Sequence, residues 1–314
     1  MGLGSMSKQA LPSGPKQKTK KGVYAMASVL SRKLIGVARE FIAKIRYQHI
    51  DSKTAMAVLL PLASVNGNRD DNLPEIELYM DDLAEILKLP KAYNKRGNLN
   101  AYIRKIYEKA MLVHIDSVPI IDSYQIEAGI LTVSFQKETF NEYFQGFKKC
   151  QKSYHCFVSD DIARLTGCAY TWDFMKIFTY AYTEKDGRYC EERITTNNLR
   201  KYLGLEDSYN RNGTALDRSG LEKKVIHEAI AEIAEMEGFQ VYIFHQSDSQ
   251  INYFKKEYNH DGNPRKRNTV RNYLFKVKRF SVKEFNMVHN IQNGNEMTDE
   301  EMEEIYNAYC DCYK

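Results

Sequence analysis

The chain has 314 residues, 43% hydrophobic and 12% aromatic content, and 45 basic against 41 acidic side chains, which excludes wholesale disorder and favours two domains over one. Its longest apolar run, Ala55 to Val65 with Pro61 inside it, is too short to cross a bilayer. The six cysteines, at 150, 156, 168, 190, 310 and 312, form neither CxxC pairs nor a dense disulfide scaffold, and no apolar segment follows the first lysines as in a secretory signal, so a reducing, cytoplasmic location without membrane attachment is expected.

Residues 1–40 read as a flexible basic arm, with Met1 to Ser5 ahead of Met6 resembling a cloning scar. Asp51 or Ser52 caps a predicted helix whose Ala55, Met56, Leu59, Leu60 and Ala63 share a face, ending at Asn66-Gly67. Glu75 to Met80 alternates as a strand. A helix with Leu83, Ile86 and Leu87 follows, then a longer one from Asn98 to His114, then strands Val118 to Ile126 and Ile130 to Phe135 around an Ala128-Gly129 turn. Helix, strand, helix, helix, hairpin is the order of a winged helix-turn-helix, assigned to 41–136. Lys137 to Phe147 predicts a linker helix, within 137–152, whose Phe140, Tyr143, Phe144 and Phe147 form one apolar stripe.

An internal repeat sharpens this picture. Residues 83–97, LAEILKLPKAYNKRG, align without a gap on 199–213, LRKYLGLEDSYNRNG, sharing Leu83/Leu199, Leu87/Leu203, Leu89/Leu205, Tyr93/Tyr209, Asn94/Asn210 and Gly97/Gly213. Around the second copy the predicted order recurs: a helix at 172–182, a strand at 193–195, a long helix at 217–237, a strand at 239–245, a basic loop and a strand at 272–280. The expected fold is α+β, two tandem winged helix-turn-helix domains related by a pseudo-twofold internal repeat, the second spanning 153–285. Residues 286–314 form an acidic tail in which Thr298 caps a short predicted helix with Met302, Ile305, Tyr306 and Tyr309 on one edge.

Charge is distributed unevenly along this frame. Residues 1–33 hold seven bases and no acid, residues 250–281 nine bases and two acids, residues 295–314 one base and seven acids. Such clustering is the footprint of a polyanion binder. In a helix-turn-helix the second helix enters the major groove with its N-terminal part nearest the bases, which singles out Arg218, Lys223, Lys224 and His227, with Arg211 just before them. The loop His260 to Arg271 supplies Arg265, Lys266, Arg267 and Arg271 with Gly and Pro to turn the chain, as a DNA-contacting wing requires. Lys255, Lys256, Lys276 and Lys278 on the flanking strands extend the basic patch. Lys95, Arg96, Arg104 and Lys105 give the first domain a weaker version without a basic wing, for secondary DNA contact or dimerisation.

No phosphate-binding glycine loop, His-x-His cluster or Cys/His metal spacing occurs, so no catalytic residue, metal or cofactor is assigned and no enzymatic activity is expected. The tail has three open uses: docking on its own chain, binding a partner, or competing for the basic patch.

Taken together, the Ser52-Lys-Thr-Ala helix start, the aromatic linker helix, Ala169-Tyr-Thr-Trp-Asp-Phe-Met-Lys-Ile-Phe178, Leu199 to Leu205 followed by Tyr209, and the Leu221 to Ile233 helix before the wing resemble the Rep_3-type (RepA/RepE/Pi-like) initiators of theta-replicating plasmids, over residues 40 to 285. The acidic extension after Asn290 departs from that pattern. The resemblance implies a DNA replication initiator that binds repeated double-stranded sites (iterons) at an origin chiefly through its second domain, helps open an AT-rich segment, recruits the host initiator and helicase, and as a homodimer in equilibrium with monomer represses its own promoter. A winged-helix transcriptional regulator is the alternative, and a nucleic-acid-nicking enzyme a remoter one.

Overall fold

The computed structural model describes residues 34–65, 75–87, 89, 96–144, 154–165, 167–179, 189–208, 210–211, 215–216, 218–247, 250–258 and 270–279. The fold mixes helices and strands around one contiguous apolar core. Among the described residues no helix is long and apolar enough to cross a membrane.

Strand β1 (Leu34–Ala38) runs into α1 (Arg39–Ile45), so residues 34–40, expected in the arm, are built into the fold: Ile35, Val37 and Ala38 have no exposed surface. Helix α2 (Ser52–Leu59) opens on Asp51, whose Oδ1 accepts the Lys53 N–H at 3.1 Å. A 3-10 turn, Leu60–Val65, continues it with Pro61 in its first turn; proline has no N–H for Ala57 O, and the Tyr107 hydroxyl donates to that carbonyl instead.

Strand β2 (Glu75–Tyr79), α3 (Met80–Ile86) and α4 (Arg96–Ala110) precede the small hairpin β3 (His114–Ile115) and β4 (Val118–Pro119), then β5 (Ile121–Glu127) and β6 (Ile130–Phe135). The single strand expected from Val118 is thus split. The turn between β5 and β6 sits where predicted, with Ala128 at φ 49° and Gly129 at φ 83°. Such a two-residue left-handed turn matches the strand twist, and glycine adopts it without strain. The sheet order is β2-β6-β5, so the strand before the helix pair docks on the last strand of the hairpin.

Helix α5 (Lys137–Tyr143) is shorter than the expected linker helix, and Phe147 lies outside the described residues. Its aromatic stripe packs Phe140 on Phe135 at 5.5 Å between ring centroids and Phe144 on Phe41 at 4.9 Å. Strand β7 (Tyr154–Val158) then returns to pair antiparallel with β1, Val37 opposite His155. Helices α6 (Ser159–Ala163) and α7 (Thr171–Phe178) follow.

Strand β8 (Cys190–Thr195), α8 (Thr196–Tyr202), the short β9 (Asn210–Arg211) and β10 (Ala215–Leu216), and a helical rod over 218–234 open the rest of the chain. The rod consists of α9 (Arg218–Leu221), a π-helical segment Glu222–His227 and α10 (Glu228–Ala234). Strands β11 (Phe239–Val241), β12 (His245–Ser247), β13 (Gln250–Asn252), β14 (Phe254–Tyr258) and β15 (Val270–Arg279) complete it. The strand expected over 239–245 ends at Val241, and a β12–β13 hairpin takes its place. Strand β15 pairs with β14 and β11 on one side and with β8 on the other. Here too the strand before the helices docks on the last strand of the sheet.

The helix ends before the aligned turns match in detail. Leu87 N donates to Leu83 O and Leu203 N to Leu199 O, both at 3.0 Å; Leu89 N donates to Ala84 O at 3.2 Å and Leu205 N to Arg200 O at 2.8 Å. Leu83, Leu87, Leu199, Leu203 and Leu205 are all buried. The shared leucines therefore hold equivalent places in two equivalent helix terminations, with orphan carbonyls capped in the same way.

Candidate nucleic-acid interface

The 218–234 rod separates charge from core. Leu221, Val225, Ala229 and Ile233 are fully buried at a strict spacing of four. In an α-helix four residues overshoot a full turn by about 40°, and the row would drift off the core. The wider π-helical segment takes up that overshoot and keeps the row inward while Lys223 and Lys224 stay exposed. Neither lysine pairs with Glu222 among the described residues: that carboxylate accepts Lys256 Nζ at 2.9 Å and Tyr273 OH at 3.2 Å. Burial and the Glu222 carboxylate both push the Tyr273 phenol above its usual range.

Other predicted residues are redistributed. Arg218 is half-buried, and its charge partly opposes the rise of the Tyr273 phenol. His227 faces the β12–β13 hairpin instead of solvent, with Nε2 2.8 Å from Ile251 O and its ring 5.7 Å from Tyr253. Lys256 lies opposite Tyr273 on the inner face of the sheet and is spent on Glu222. Lys255 is exposed opposite Leu274 on the outer face.

Lys276 and Lys278 share that outer face, but it is not an open lysine surface. Lys276 lies over the Tyr242 ring and pairs with Glu191 at 2.9 Å, and its hydrogen bond and charge hold the Glu191 carboxyl below its ordinary range. Lys278 is only 4% exposed, which corrects the expectation of an exposed side chain. The helical rod packs on the inner face through the Glu222 contacts, so the sheet stands between Lys223 and Lys276 and the two do not form one patch. Arg271 is exposed at the start of β15. Arg265, Lys266, Arg267 and Lys95 lie outside the described residues, as does the acidic tail; Arg211 falls in β9 and Arg96 opens α4.

On α4 the exposed bases are Arg104, Lys105 and Lys109, with Glu108 beside them. Leu99, Ile103, Ile106, Tyr107 and Ala110 turn inward, and the Tyr107 hydroxyl donates to Ala57 O at 3.0 Å, anchoring α4 on α2. Lys105 and Lys109 also border a groove against residues 167–169 that sequence reasoning did not find; their i, i+4 spacing was the available signal.

Two acidic residues at the far end of the rod, Glu232 and Glu237, fasten the fold. Glu232 caps the approach to α7, accepting Gly167 N at 3.2 Å, Cys168 N at 3.1 Å and the Thr171 hydroxyl. Burial raises its carboxyl and those hydrogen bonds oppose the rise. Glu237 presents its backbone: its N–H and that of Gly238 donate to Asp161 at 2.8 Å. Burial pushes the Asp161 carboxyl up to about 7.

Helix α7, fastened to the rod through Thr171 and Glu232, is held against the α1–α2 connection by a buried joint. Lys176 Nζ donates to Asp173 Oδ1 at 2.8 Å, to Ile45 O at 3.1 Å and to Gln48 O. All three ammonium hydrogens are thereby used. Asp173 Oδ2 lies 2.6 Å from His49 Nδ1. Ser52 N donates to Ala169 O at 3.0 Å and Trp172 N to Ser52 Oγ at 3.1 Å. The α1–α2 connection is thus bound to α7, and the basic faces of α4 and of the rod are carried on one framework.

No protein-family model matches the chain, and no curated protein matches it in sequence. Among solved structures, the chain is similar to the one described as the crystal structure of Pi initiator protein in complex with iteron DNA, at 14% sequence identity and a TM-score of 0.49, over 79% of this chain and 97% of that one.

Proposed function

We propose that the chain is a non-catalytic plasmid replication initiator that binds repeated double-stranded DNA sites through two winged-helix units, 41–136 and 153–285. What supports this most is one observation made twice: a strand, a helix ending on the same leucines, and a second helix lie against a hairpin whose last strand receives the first. In each case the second helix offers uncovered bases, Arg104 and Lys105 on α4, Lys223 and Lys224 on the rod.

Positive side chains exposed on such a helix meet phosphates and base edges, and release counterions when they do. Two such helices on one framework suit successive major grooves about 34 Å apart along a duplex. Contact over two grooves favours bending, which lowers the cost of opening flexible AT-rich steps. The resemblance to Rep_3-type initiators carries the reading from DNA binding to iterons, with recruitment of host initiator and helicase and repression of its own promoter by a dimer as the further parts of the proposal.

Footprinting of the purified protein on DNA surrounding its own gene tests this. Protection of direct repeats beside an AT-rich stretch is expected. Protection of a lone inverted repeat in a promoter would replace initiation with transcriptional regulation.

A further inference from the structure

The groove beside α4 has a volume of about 720 Å³ and crosses from the first unit to the second, between α4, the start of α2 and residues 167–169. Its lining is of two kinds. Lys53, Lys105 and Lys109 are basic; Ala101, Ile106 and Ala169 are apolar. The one carboxylate there, Asp51, is engaged as the N-cap of α2. A basic rim around an apolar floor fits an acidic amphipathic segment better than a free polyanion, which has no use for the floor.

We propose that this groove is the docking site of the chain's own acidic C-terminal segment, residues 295–314. That segment carries seven acids and one base, and the helix predicted from Thr298 puts Met302, Ile305, Tyr306 and Tyr309 along one edge, with Glu300, Glu301, Glu303 and Glu304 among them. Charge and apolar character are both complementary to the groove.

The reach is sufficient. Strand β15 ends at Arg279, whose Nη1 donates to Thr179 O at 3.2 Å just past the end of α7. The groove lies at the other end of α7, and eight residues of helix span about 12 Å. The fifteen residues 280–294 extend to about 50 Å, several times that separation. Docking places glutamates over Lys105, so on the DNA-binding reading, on which this consequence rests, the tail withholds α4 from phosphate.

Zero-length carbodiimide coupling of the full-length protein tests the contact, because it joins only amines and carboxylates that touch. In an equal mixture of isotopically light and heavy protein, the expected products join Lys105 or Lys109 to Glu300, Glu301, Glu303 or Glu304 within one chain. Tail links confined to Lys223 or Lys224, or light-to-heavy pairs, overturn the assignment in favour of the rod or a second copy. A second measurement separates docking from its consequence. Full-length protein with E300Q, E301Q, E303Q and E304Q is expected to bind a mixed-sequence duplex about three- to tenfold more tightly at low salt, as removal of a competing polyanion requires. Links within one chain with unchanged duplex affinity keep the docking and take α4 out of the DNA surface. Tighter duplex binding without groove links overturns the docking and leaves the DNA reading standing.

Discussion

Lys176 and Asp173 stand three residues apart in α7 as an ion pair of 2.8 Å with 0% and 1% of their side chains exposed. An ammonium stripped of water is tolerated only where its hydrogens find acceptors, and the carbonyls of Ile45 and Gln48 complete the set. Burial pulls the Lys176 amine down and Asp173 opposes it. Lys176→Met is expected to cost about 3 to 5 kcal/mol, because it takes the balancing cation from the buried Asp173 carboxylate and a donor from each of two carbonyls. Urea unfolding of K176M checks this; a loss below 1 kcal/mol would show that the joint is not a stabilising contact.

His155 is 1% exposed, and burial together with Arg279 and Arg39 holds its imidazole down to about 3. In the unfolded chain the ring takes a proton near its ordinary value, so between those two values the unfolded state binds more protons. Stability is then present in full above about pH 6.5 and falls as pH drops toward 3, by roughly 1.4 kcal/mol per unit of pKa displacement. Asp161 has the opposite sign: with its folded pKa raised to about 7, its contribution is full below about pH 4 and is lost as pH rises toward 7. Thermal unfolding from pH 4 to 8 is expected to show a shallower acid slope in His155→Phe; Asp161→Asn, whose amide offers one acceptor where the carboxylate offers two to the Glu237 and Gly238 N–H groups, is expected to be less stable than wild type by a margin that shrinks between pH 4 and 7.

If Lys223 and Lys224 meet phosphate, each alanine substitution is expected to weaken duplex binding and to reduce the log–log salt slope by about 0.9. Lys276→Ala and Lys278→Met are expected to leave that slope unchanged, since one lysine is held by Glu191 behind the sheet and the other is buried. Arg265, Lys266 and Arg267 replaced together by alanine test the wing by the same slope. Fluorescence anisotropy between about 50 and 200 mM salt reads all of these.

Gly204 closes α8 at φ 63°, and a methyl group there meets His49 Cβ at 3.1 Å. Gly204→Ala therefore combines left-handed strain with crowding against the connection that carries His49. A loss of about 1 to 2 kcal/mol in chemical denaturation is expected, with Gly204→Asn costing less on the backbone part alone.

Much of the fold was legible where a short-range rule decides it. Helical spacing located α2, α4 and the 218–234 rod, and the Ala128-Gly129 turn was placed by the conformations those residues adopt. The leucine register of 83–89 and 199–205 held down to individual hydrogen bonds. The β1–β7 pairing was not legible, because Leu34–Ala38 is too short to show a period and its partner lies about 120 residues away. Alternation correctly put Lys276 and Lys278 on one face, but no local rule says whether that face is covered. The π-helical segment did leave a trace in the strict spacing of four from Leu221 to Ile233, a period that an α-helix does not keep facing one way.

The pairing of β1 with β7 also sets an order of assembly. During synthesis β1 emerges about 120 residues before the strand that completes it, an interval of roughly 6 to 24 seconds at ordinary elongation rates. Throughout that time Ile35 and Val37 have no strand to pair with, whereas β2 to β6 find every partner they need within residues 75–135. Within the first unit, the first segment of the fold to leave the ribosome is therefore the last to be secured, and that unit carries an unpaired apolar edge until the second begins to appear.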